Sequence, residues 1–102
     1  MKLTKDKIVF ESCVYPNYGS IGLIEYYFVI EKDLVTDILQ YDYKTATQGC
    51  LLLVLNYSGE LVECRVSPTI YDKENRSFID IDWHDISITD DEIKTLLEIA
   101  GK

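Results

Sequence analysis

Apolar and polar residues alternate with a period of two along most of this chain, a period that predicts strands. Between Lys7 and Tyr15, Ile8, Phe10 and Val14 stand against Lys7, Glu11 and Tyr15. Pro16-Asn17-Tyr18-Gly19-Ser20 then breaks the pattern as a loop. Gly22 to Glu31 is a second strand, with Ile24, Tyr26, Phe28 and Ile30 on one side. Lys32-Asp33 reads as a tight connection, so Leu34 to Tyr43 is expected to return as a third strand. After the polar stretch Lys44 to Gly49, Cys50 to Tyr57 and Glu60 to Val66 flank Ser58-Gly59, the clearest hairpin in the chain. Ser67-Pro68 is expected to end it. A charged turn over residues 72–77 precedes a last short strand, Phe78 to Trp83, with Ile79, Ile81 and Trp83 facing the core.

The period changes once, at the C-terminal end. Thr89-Asp90-Asp91-Glu92 fits a capping box, in which hydroxyl and carboxylate each satisfy the other residue's amide. Ile93, Leu96, Leu97 and Ala100 follow at helical spacing, and Gly101 supplies a stop. The predicted fold class is therefore α+β: an antiparallel β-meander of about five or six strands with one C-terminal α-helix packed on one face. No linker or repeat interrupts it, so residues 1–102 are read as a single domain.

The fourth predicted strand is apolar on both sides, with Leu51, Leu53 and Leu55 on one and Cys50, Leu52 and Val54 on the other. Such a strand belongs in the middle of a sheet and asks for cover twice. A helix of about eleven residues spans roughly 16 Å and covers part of one face only. Curling of the sheet, long loops or another chain must supply the rest.

Composition narrows the function classes. Eighteen Asp plus Glu against ten Lys plus Arg give a net charge of -8, and the basic residues do not cluster. Phosphate backbones and anionic membranes repel such a surface, whereas a basic protein partner is drawn to it. No run is long enough for a membrane helix or a secretory core, so a cytoplasmic location is expected. Cys13, Cys50 and Cys64 have no zinc-type spacing and read as reduced, small hydrophobes.

Candidate chemistry is sparse. Asp80, Asp82 and His84 alternate, which on a regular strand places three potential metal ligands on one face; the plainer reading is a solvated face. His84 is the only histidine, and neither Ser87 nor Cys64 stands in a nucleophile motif. No catalytic, cofactor-binding or metal site is assigned. Eight tyrosines suit protein recognition, because the ring brings contact area and the hydroxyl a hydrogen bond. Tyr15, Tyr18, Tyr41, Tyr43, Asp80 and Asp82 are the expected protein-binding residues. The expected function is a small acidic non-catalytic protein-binding domain, such as an inhibitor or an immunity or anti-defence protein docking on a basic partner. A self-associating accessory protein, as a homodimer, is the alternative, and a metal- or ligand-binding domain using Asp80, Asp82 and His84 the second.

Overall fold

A computed structural model describes residues 3–19 and 21–102, except the side chains of Tyr18 and Gly19. Strands β1 (Ile8–Val14), β2 (Leu23–Glu31), β3 (Gln48–Asn56), β4 (Leu61–Asp72) and β5 (Ser77–Asp80) pair in sequence order, all antiparallel. A two-residue strand, β6 (His84–Asp85), returns to β4 beside β5. The α+β meander expected from the alternation is what forms, curled into a half-barrel. β3 is central, and Leu51, Leu53 and Leu55 are buried on one side while Val54 is only 2 % exposed on the other.

One predicted element is different. Lys32–Leu39, inside the expected third strand, is a helix, α1, that starts directly from the last residue of β2. Leu34, Val35, Ile38 and Leu39 recur at i, i+1, i+4 and i+5, which gathers them into one stripe. Leu34 and Val35 are buried against the sheet. Gln40 ends the helix in the left-handed region (φ 56°), with its amide donating to the Thr36 carbonyl at 2.8 Å.

The second helix, α2 (Asp90–Ile99), has both arms of the predicted capping box. The Thr89 amide donates to Glu92 Oε1 at 2.9 Å, and the Glu92 amide donates to Thr89 Oγ1 at 3.2 Å. Its far end closes through Gly101 (φ 76°): the Gly101 amide reaches the Glu98 carbonyl and the Lys102 amide the Leu97 carbonyl. Both helices share one core with the same side of the sheet: Leu34, Val35, Ile93 and Leu96 pack with Tyr26, Phe28, Ile30, Leu51, Leu53 and Val66. Lys7–Asp33 and Lys5–Glu98 ion pairs tie the N-terminal segment to the two helices.

Two further expectations are corrected. Ser67-Pro68 does not end β4, which continues to Asp72. The Pro68 carbonyl accepts from Ile81 N, on the side of β4 away from β3. A strand residue's N–H and C=O point the same way, so the missing N–H is also on that side and costs the β3–β4 ladder nothing. Ile79 and Ile81, expected in the core, are exposed: Ile79 is on β5, at the edge of the sheet, and Ile81 just follows it.

Candidate functional site

The face of the sheet opposite the helices is the place where this chain has unfinished chemistry. Register assigns its side chains: Val9, Ser12 and Val14 from β1; Glu25, Tyr27 and Val29 from β2; Cys50, Leu52 and Val54 from β3. β4 adds Arg65 and Thr69, and β5 adds Phe78 and Asp80. Part of this face is roofed by its own long side chains. Leu52 lies between Tyr27 and Arg65, and Val54 between Glu25 and Glu63. Tyr27 donates its hydroxyl proton to Glu25 at 3.2 Å, while Arg65 is held by Glu63 at 3.1 Å and Asp85 at 2.9 Å.

The rest stays open as a groove of about 350 Å³ across all five main strands. Val14, Tyr27, Val29, Cys50 and Phe78 give it a mostly apolar lining. Glu11 stands on the β1 flank and Asp80 on the β5 flank, and among the described residues no Lys, Arg or His lines it. Bulges create this shape. Phe10 pairs with Phe28 and Ser12 with Tyr27, so Glu11 is an extra residue in β1. A second irregularity falls between Val54 and Leu55 in the β3–β4 pairing. Each extra residue adds local twist, and the sum curls the sheet.

The electrostatics of the groove follow from its burial. The Cys50 thiol is pushed up to about 12, first by burial and then by the charges of Asp80 and Glu11, which lie on opposite flanks. The Tyr27 hydroxyl is also raised, by burial first and then by Glu25, Cys50 and Asp80. At neutral pH Cys50 is therefore a protonated thiol and no nucleophile. Cys64, in the core, is likewise pushed up to about 12 by burial. Thr69 is 1 % exposed at the groove floor, and its Oγ1 has no hydrogen-bond partner among the described residues.

The predicted site residues fall in separate places. Asp80 belongs to the groove. Asp82 and His84 do not join it, because Asp80 pairs with Thr69 but His84 pairs with Val66. One residue too many lies between the two pairs, so His84 emerges on the helix side of the sheet. The regular strand that would have aligned Asp80, Asp82 and His84 is absent, and no group of three or more metal-ligating residues forms among the described residues. Instead Tyr43 approaches from the α1–β3 connection, with its hydroxyl 3.0 Å from His84 Nε2, and Asp82 Oδ2 lies 3.1 Å from the same nitrogen. That nitrogen carries either a proton or a lone pair, so it serves one partner at a time. Tyr41 packs beside Tyr43, the ring centroids 4.7 Å apart and the rings tilted at 59°. No serine or cysteine hydrogen-bonds to His84 among the described residues.

Tyr15 is exposed just beyond β1, at the level of Glu25 on β2, whereas Tyr41 and Tyr43 follow the helix that leaves the other end of β2. The expected tyrosine surface is thus not one patch. The side chain of Tyr18 lies outside the described residues. Sequence reasoning missed Glu11, Tyr27, Val29, Cys50, Thr69 and Phe78 as groove residues. The alternation of Tyr27, Val29 and Glu31 against the core positions was the available signal for this face.

The fold and groove define an α+β half-barrel with one face covered by helices and one open to solvent. No family model, curated protein or solved structure matches the chain. Among the described residues, no helix is long and apolar enough to cross a membrane.

Proposed function

We propose that this chain is a non-catalytic protein-binding domain that receives a basic polypeptide on its open sheet face. The observation that carries the reading is the groove: a mostly apolar floor flanked by Glu11 and Asp80, with no cation lining it among the described residues. A net charge of -8 steers a basic partner toward the domain, and the groove gives the encounter a defined seat. Self-association through this face is disfavoured by the same residues. Two copies facing groove to groove set Glu11, Glu25 and Asp80 against their own duplicates.

Amide shift mapping by NMR tests the reading. A short peptide of alternating lysine and leucine, titrated at about 20 mM salt, is expected to move Ser12, Val29, Cys50, Thr69 and Asp80 together, saturably and one to one. Raising salt to about 500 mM weakens the effect, and the glutamate–leucine counterpart leaves the spectrum unchanged. Shifts confined to the helix side, or no shifts with the basic peptide, would refute it.

A further inference from the structure

We infer that the groove is a seat for one long cationic side chain, a lysine or arginine of the partner, its stem on the apolar floor and its head between Glu11 and Asp80. The inference rests on the protein-binding reading and specifies what that surface recognises.

The accounting of charges leads to it. Lys5 is paired with Glu98, Lys7 with Asp33, Lys32 with Asp42, and Arg65 with Glu63 and Asp85. Neither Glu11 nor Asp80 has a cationic partner among the described residues, although both stand at the rim of one groove. The two belong to opposite flanks, yet both bear on the thiol of Cys50 on the central strand. Their fields therefore converge over the groove instead of spreading along its rim. A converging negative potential above an apolar floor selects a ligand that is both greasy and positive.

Size and shape restrict the ligand further. At about 350 Å³ the groove is near the lower end of the range for ligand pockets, roughly 300–1,000 Å³, which suits one extended side chain and is too small for a helix. Tyr27 and Phe78 bring aromatic rings to the lining, and Val29 and Val14 bring methyl groups that suit contact with methylenes. The buried Thr69 hydroxyl beneath, unpartnered among the described residues, shows that the groove's own polar groups are not mutually satisfied.

The experiment uses the intact chain and a series of acetylated, amidated alanine-rich hexapeptides that differ at one central residue: lysine, arginine, norleucine or diaminopropionic acid. Norleucine keeps the stem without the charge, and diaminopropionic acid keeps the charge without the stem. Lysine and arginine peptides are expected to bind at least about tenfold more tightly than either control, by the same amide shifts. Glu11→Gln and Asp80→Asn are each expected to weaken lysine-peptide binding at least about fivefold. Both positions are exposed, so folding is not at stake, and Asp37→Asn on α1 serves as an unaffected control. Norleucine or diaminopropionic acid binding as tightly as lysine would overturn the inference, as would a Glu11→Gln/Asp80→Asn double variant that binds normally. Butylammonium binding as tightly as the lysine peptide would also overturn it, making the groove a small-amine site. If the lysine–leucine peptide still binds the sheet face while the series fails, only the inference is lost. If neither binds, the functional reading is lost as well.

Discussion

At Gly49 the first helix and the sheet come closer than any side chain allows. A methyl group built there collides with Val35 Cγ2 and presses on Ile30 Cγ1 at 3.1 Å and the Ser67 carbonyl at 3.2 Å. Val35 is β-branched and buried, so it has little room to turn away. Gly49→Ala is expected to cost about 1–3 kcal/mol in urea unfolding, and Val35→Ala in the same chain to recover part of the loss. A Gly49→Ala protein as stable as the parent would show that α1 does not sit against β3 as described. Glu11 is decisive for a different reason. It is a surface glutamate whose direction is set by being one residue too many in its strand.

At the scale of elements, the capping box of α2 is a local device that the chain writes out in four consecutive residues. Thr89→Ala removes the hydroxyl that accepts the Glu92 amide and is expected to destabilise the protein by about 1 kcal/mol, with Thr89→Ser retaining most of the effect. Equal urea midpoints for the alanine variant and the parent would contradict it. Elements of this kind were legible in the sequence: the cap at Thr89, the Ser58-Gly59 hairpin, and the two-sided apolar run of β3. The first helix was not, because Leu34, Thr36 and Ile38 also satisfy a period of two, and eight residues are too few for the helical period to prevail. Its i, i+1, i+4, i+5 stripe becomes decisive only when a sheet lies beneath it. The groove was less legible still. Asp80 was singled out, but its companions were not, because pairing across strands depends on where extra residues fall. The same cause separated Asp80 from His84, which a regular strand would have kept together.

For the whole molecule, the carboxyls define a pH window. Asp33 is held below its ordinary 3.8 by the hydrogen bond from Lys7, Asp72 below 3.8 by that from Asn75, and Glu98 below 4.5 by that from Lys5. In each case the unfolded chain takes up the proton first, so the contribution is present above the ordinary value and lost as pH falls through the lowered one. Lys7 is raised above its ordinary 10.5, chiefly by its bond to Asp33, so its share is lost only as pH rises past that raised value. All four groups lie on the surface, and the effect is modest. The urea midpoint is expected to be level between about pH 6 and 9 and lower at about pH 3. A midpoint at acid pH equal to that at neutrality would mean these bonds contribute nothing to the native state.

The bulge at Glu11 also bears on how the chain behaves among its own kind. A half-barrel is open along both margins, and an unpaired strand margin is a template on which foreign strands grow into fibrils. Here one margin is broken into two short strands, the four residues of β5 and the two of β6, and the other is interrupted midway by an unpaired, charged residue. The glutamate that helps shape the groove thus also keeps the sheet from being extended by its neighbours. Deleting it would straighten β1 into a continuous ladder whose exposed Val9 would invite stacking.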